Sequence, residues 1–250
     1  MNKPKRSDNK VLFVGFLVLE LILYSSFLWI DLNAPHLHAL SNILKYVSII
    51  ACFVTSVFLL FSTKNRRLGL LVMSFFMTML ADFFLLFTID YPVGVFFFCM
   101  VQLVYHIYLF GTKKIFLFLA LPSIVTVLLL IYLNSSPSWI TYLHGNIPLI
   151  VPACFYIMML IMNLISCFFS KAANVKGRIL FFFALTCLFV CDLQVGYFHV
   201  HSIIQQQPYL NLWSPLYNIS SIGMWVFYLP SQVLLITYVN SNIKERNFIK

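Results

Sequence analysis

Long apolar runs alternate with short polar breaks along the whole chain. A helix that crosses a bilayer needs about 20 mainly apolar residues. Runs of that kind lie at 11–30, 41–61, 68–88, 92–110, 115–133, 147–169, 179–198 and 215–239. They predict an all-α polytopic membrane bundle of about eight transmembrane helices, one domain over residues 1–250. The two longest breaks, 134–146 and 199–214, carry no Lys or Arg. No low-complexity linker divides the chain, and the runs leave no room for a separate soluble domain.

Composition agrees with this pattern. Hydrophobic residues are 62% of the chain and charged residues 9%, against about a quarter charged in a soluble domain. Too few charges remain to cover a water-exposed surface. The net charge of +9 raises the question of nucleic acid, but the charges sit in short clusters between apolar runs, as topology determinants do. No nucleic-acid partner is therefore expected.

The clusters give an orientation. Lys3, Lys5, Arg6 and Lys10 precede span one; Lys64, Arg66 and Arg67 separate spans two and three; Lys113 and Lys114 separate four and five. Lys171, Lys176 and Arg178 separate six and seven, and Lys244, Arg246 and Lys250 follow span eight. With eight spans these fifteen of the sixteen basic residues fall on one side. The positive-inside rule then puts both termini in the cytoplasm. The sixteenth, Lys45, lies near the outer end of span two, where its stem can snorkel to the interface. A basic start followed by an apolar run without a small-x-small cleavage site predicts a retained first span. A bacterial plasma membrane is the expected location.

The six cysteines all fall in apolar runs, with no CxxC pair and no zinc-finger spacing to His. They read as small buried hydrophobes. Cys187 and Cys191 share a helix face beside Asp192, which leaves a metal or redox role open there. No cofactor or metal is expected.

Ionisable groups inside a bilayer cost at least ~2.5–3.5 kcal/mol at the helix centre. Here they are Glu20 in span one, Asp82 in span three, His106 in span four and Asp192 in span seven. Glu20 sits alone and reads as a structural or ion-paired residue, and His106 as an interfacial one. Asp31 and Asp90 fall at the outer interface and read as solvated. His199 and His201 read as exposed residues of an outer loop, and His36, His38 and His144 as plain loop residues.

Asp82 and Asp192 stand apart. Asp82 follows Arg67 by 15 residues and Asp192 follows Arg178 by 14. At ~1.5 Å per residue both carboxyls lie about 21–23 Å from the basic flank on parallel helices. Ser74, Thr78 and Asp82 repeat every four residues and form one stripe. Ser221, Trp225, Tyr228 and Gln232 share a face of span eight; Gln102 and His106 share one on span four, with Tyr105 beside them. These stripes predict one polar pocket inside the bundle. The alternative is that they only join helices by hydrogen bonds. A carboxylate is an expensive way to do so, which favours a functional role for the two aspartates.

At these residues the chain resembles the YhhN family of membrane proteins, which includes lysoplasmalogenases. Ala81-Asp82-Phe-Phe-Leu-Leu, Gly94-Val-Phe-Phe-Phe98 and Gln102-Leu-Val-Tyr105 are similar to the family's Gly-Asp, Gly-x-x-x-Phe and His-x-x-Tyr motifs. Cys191-Asp192 is similar to its Ser-Asp motif, and Tyr228-Leu-Pro-Ser-Gln232 to its Tyr-x-x-x-Gln motif. The likeness spans roughly 73–238. Ala81 stands for the usual Gly, Cys191 for Ser, and Gln102 for a common His, which removes a titratable group. Spans three and four offer Asp82 then Gln102, and spans seven and eight Asp192 then Gln232, a faint duplication that fits two half-sites meeting in one pocket.

The resemblance implies hydrolysis of the vinyl ether bond of a lysoplasmalogen or another single-chain lipid, releasing a fatty aldehyde. The residue types suit that chemistry. Vinyl ethers are protonated on carbon, and water captures the resulting oxocarbenium ion. Two neighbouring carboxyls in low dielectric do not readily ionise together, so one serves as acid and the other as base. Asp82 and Asp192 are the expected catalytic pair, in an order the sequence leaves open. Gln102, Tyr105, Tyr228, Gln232 and Thr78 are candidates for binding substrate or water. No Gly-x-Ser-x-Gly elbow, phosphate-binding glycine loop or HExxH occurs. Two alternatives stay open: a proton-coupled transporter, since intramembrane acids serve proton relays, and a catalytically silent lipid-binding protein of the same fold.

Overall fold

The computed structural model describes residues 6–62, 66–135, 147–170, 175–204 and 214–246. Eight long helices account for nearly all of these residues. They are α1 (Arg6–Asn33), α2 (His38–Phe61), α3 (Arg66–Phe83), α4 (Tyr91–Phe110), α5 (Ile115–Ser135), α6 (Ile147–Phe169), α7 (Val175–Ile204) and α8 (Ser214–Arg246). Each is long and apolar enough to cross a membrane, and the protein is an integral multi-pass membrane protein. The expected spans match these helices in order, the third only when the π-helical stretch after α3 is included; α7 and α8 run furthest past theirs. Lys3, Lys5, Lys64, His144, Lys171 and Lys250 lie outside the described residues, as does the side chain of His201.

Burial is that of a protein dissolved in lipid. Phe61, Phe116 and Leu117 are among the most exposed side chains, while Ser41, Ser48, Ser56, Ser74, Gln102 and Asn163 are fully buried. In hydrocarbon the polar groups turn inward, because there alone they find partners. The bulkiest of the fully buried side chains are the aromatics Phe27, Phe75, Phe118, Phe181, Tyr105 and Tyr238.

Contacts fix the helix directions. Along α4, Cys99, Gln102 and Leu109 meet Pro152, Asn163 and Ser170 of α6 in the same order, so the two run parallel. Phe98 and Tyr108 of α4 likewise meet Tyr228 and Tyr238 of α8. Asp31 and Glu20 of α1 meet Lys45 and Ser48 of α2 in reverse order. Lys10, Arg67, Lys114 and Lys176 are all exposed near the face where α1 begins.

Local chemistry explains the breaks. α2 follows a short 3-10 turn that opens with Pro35. α3 continues into a single π-helical stretch, Phe84–Thr88, that ends at Ile89 with φ 58°. Asp90 then caps α4, accepting the Val93 N–H at 3.4 Å, with Pro92 in the first turn. Gly94 lets α4 close on α3: a Cβ there would stand 2.6 Å from the Leu85 side chain and 3.2 Å from the Ala81 carbonyl. Pro230 lies inside α8 and cannot donate to the carbonyl of Val226 four residues back. The Tyr24 hydroxyl of α1 donates to that carbonyl instead, at 3.2 Å.

Three sequence expectations are corrected. Lys45 does not snorkel: it is 3% exposed and its ammonium lies 2.8 Å from Asp31 Oδ2. Asp31 is not simply solvated, because it also accepts from Ser41 Oγ at 2.6 Å. His199 is not in a loop; it lies on α7 with its ring 4.7 Å from that of Tyr91. Glu20, alone in the sequence, accepts hydrogen bonds from Ser48 and Cys52 of α2. The reason is common to Lys45, Asp31 and Glu20: a charge in hydrocarbon is held where another helix supplies its partner.

Candidate active site

The stripe on α3 points inward. Ser74, Thr78 and Asp82 are all buried. Asp82 sits at the last α-helical turn, where the ladder widens into the π stretch. Such stretches often accompany functional positions. Tyr228 of α8 donates its hydroxyl to Asp82 Oδ2 at 2.6 Å.

Asp192 on α7 has the same kind of partner. Tyr156 of α6 donates to Asp192 Oδ2 at 2.7 Å. Asp192 is half-buried, whereas Asp82, Tyr156 and Tyr228 are buried. The two pairs meet on one residue of α4. The ring of Phe98 lies 5.8 Å from that of Tyr156 and 6.3 Å from that of Tyr228. Four helices thus bring two aspartates and two tyrosines to one level, with α4 between them.

The partners of both carboxyls are neutral phenols. A phenol fixes the orientation of a carboxyl and donates to its ionised form without neutralising it as Lys or Arg would. Such a pair can give and take protons, and can hold a water or hydroxyl between its oxygens. Among the described residues, no three His, Cys, Asp or Glu side chains are grouped to hold a metal ion. All six cysteines are free.

The other candidates lie about one to two helical turns from this pair along α3, α4 and α8. Gln102 is buried, and Asn163 of α6 donates to both its carbonyls, main chain at 2.8 Å and side chain at 2.9 Å. Its Nε2 is buried without a partner among the described residues. Gln232 Nε2 donates to Ser231 Oγ at 3.2 Å, while its Oε1 is buried without one. An unmet buried polar group costs about 1–3 kcal/mol, so each amide keeps capacity for a water or a ligand. The Tyr105 hydroxyl is buried close to Ser74 but forms no well-aligned hydrogen bond. His106 is buried, with its ring stacked 3.8 Å from that of Phe118 near the end of α4.

Tyr156 and Asn163 were not singled out from the sequence, although a signal existed for both. Tyr156 and Asn163 lie seven residues apart on the buried face of α6, an otherwise apolar helix. Phe98 closes the Gly94–Phe98 stretch, but nothing in the sequence marked it as the residue between the two tyrosines.

Set against known protein-family models, curated proteins and solved structures, the chain matches none of them.

Proposed function

We propose that this membrane protein hydrolyses the vinyl ether bond of a lysoplasmalogen-type lysophospholipid, the activity implied by its resemblance to the YhhN family. The observation that carries the reading is the pair of tyrosine-held aspartates brought to one level by four helices around Phe98.

The chemistry needs an acid and a base and nothing more. A protonated carboxyl transfers its proton to the alkenyl carbon remote from the ether oxygen. The double bond supplies the electron pair, leaving an oxocarbenium ion at the adjoining carbon. Water attacks that carbon and passes a proton to the second carboxylate. The hemiacetal then collapses to a fatty aldehyde and a free glycerol hydroxyl: the second carboxyl gives its proton to the leaving oxygen, and the hemiacetal's hydroxyl proton returns to the first carboxylate. One water is consumed and no oxidation state changes overall. Sealed Asp82 suits the acid, because a low dielectric favours the neutral carboxyl. More open Asp192 suits the base that holds the water. Tyr156 and Tyr228 orient the two carboxyls. Gln102, Gln232, Tyr105 and Thr78 are the candidate binding residues for substrate or water.

The test is release of aldehyde from a 1-alkenyl lysophospholipid by the purified protein in detergent micelles. Activity in the wild type, lost in both Asp82→Asn and Asp192→Asn proteins of unchanged thermal stability, supports the assignment. Wild-type protein that releases no aldehyde, or an active double variant, overturns it. Proton-driven uptake into proteoliposomes that depends on the same aspartates would replace it with a transporter.

A further inference from the structure

Lys45 is a buried cation beside the proposed site. Its ammonium group meets the carboxylate of Asp31 at 2.8 Å and lies 4.8 Å from the centre of the Trp225 ring and 5.7 Å from that of Phe27. The Trp225 ring stands edge-on to Tyr228 at 5.3 Å, and Tyr228 donates to Asp82. One unbroken line of contacts therefore runs from Asp31 through Lys45, Trp225 and Tyr228 to Asp82. Trp225 precedes Tyr228 by three residues, so Lys45 lies about one helical turn from the aspartates, toward the end of the bundle where α1 gives way to α2.

A buried ion pair is weak evidence of stability, since apolar residues of similar size often serve as well. The geometry of this one suits an exchangeable anion. Asp31 accepts from the Ser41 hydroxyl through one oxygen and from the Lys45 ammonium through the other. Two oxygens of a phosphate would take the same donors. An ammonium has three N–H groups; one faces Asp31, and ring faces bound the others. Asp31 also has somewhere to go. It is two residues from the end of α1, its side chain is 11% exposed against 3% for Lys45, and water beyond the helix end can solvate it.

We infer that Lys45, with Ser41, is the binding site for the phosphate of a lysophospholipid substrate, and that Asp31 occupies it as an internal stand-in when no substrate is bound. The inference rests on the hydrolase reading above. The span of about one turn between Lys45 and the aspartates matches the glycerol backbone that separates a headgroup phosphate from the ether oxygen at its other end. The phosphate would thereby set the depth at which the vinyl ether halts.

The experiment compares 1-alkenyl-glycero-3-phosphocholine with 1-alkenyl-glycerol, which lacks phosphate, on the full chain in detergent. The wild type is expected to favour the phospholipid in kcat/KM by about tenfold or more, the worth of one charge-assisted hydrogen bond. In Lys45→Met/Asp31→Leu, which removes both charges together, that ratio falls to near one; Lys45→Arg keeps most of it. Equal use of both lipids by the wild type, or an unchanged ratio in the double variant, overturns the phosphate site and leaves the hydrolase reading standing. Cleavage of neither lipid by the wild type overturns the hydrolase reading itself. Inorganic phosphate added to the neutral lipid is expected to leave its rate unchanged; a changed rate with no preference between lipids would mean a site for free phosphate, which overturns the inference.

Discussion

The hydroxyl of Tyr228 lies 2.6 Å from a carboxyl oxygen of Asp82, tying the last helix to the third across the middle of the bundle. Tyr156 and Asp192 repeat the arrangement at 2.7 Å between α6 and α7. The likeness of the two pairs does not extend to exposure: Asp82 is sealed and Asp192 half-buried.

Replacing either carboxyl by an amide is expected to lower kcat about 10²–10⁴-fold, the usual contribution of a positioned acid or base. Tyr228→Phe keeps the ring against Phe98 and Trp225 but removes one hydrogen bond to Asp82. Its kcat is expected to fall about tenfold, because that bond strengthens as Asp82 gives up its proton and becomes charged. Aldehyde release at saturating substrate, with thermal unfolding as the control for folding, measures both. A Tyr228→Phe enzyme with wild-type kcat would show that Asp82 needs no such partner.

Gly94→Ala is expected to destabilise the bundle by roughly 1–3 kcal/mol, the range for forcing atoms into a packed interior. The added methyl would stand 2.6 Å from Leu85. Unfolding in detergent of wild type and variant reads the difference. A neutral substitution would mean that α4 can withdraw from α3 without loss.

The Tyr24 hydroxyl answers a carbonyl that Pro230 leaves without a helical donor. Tyr24→Phe should cost about 1 kcal/mol in the wild type. In a Pro230→Ala background, residue 230 regains an N–H for Val226, and the same substitution should cost much less. A double-mutant cycle on unfolding free energies measures this coupling. Additive effects would show that the two residues act independently.

Asn163→Leu leaves the Gln102 carbonyls without their α6 donor and is expected to cost about 1–3 kcal/mol. Adding Gln102→Leu removes the stranded amide as well, so the double variant should be more stable than the sum of the singles implies. Thermal melts of the three variants decide it.

Much of this was readable beforehand, for a physical reason. A bilayer requires every backbone group to be satisfied within its own segment, so a run of about 20 apolar residues becomes a helix whatever surrounds it. Hydropathy alone therefore located all eight helices. The four-residue repeat of Ser74, Thr78 and Asp82 likewise identified a buried face on α3, because a helix fixes which residues share a side.

Which faces meet is a matter of packing among helices far apart in sequence, and no local pattern encodes it. Lys45 and Asp31 looked like interface residues by depth, yet the fold seals them together against Trp225, 180 positions along from Lys45. Tyr156 acquires its meaning only from Asp192 opposite. Apolar spacing and the rise of a helix put two aspartates at one depth from the sequence alone. Only the tertiary structure gave each a tyrosine and set a buried ammonium one turn away, because lipid fixes that a helix forms while side-chain packing decides its neighbours.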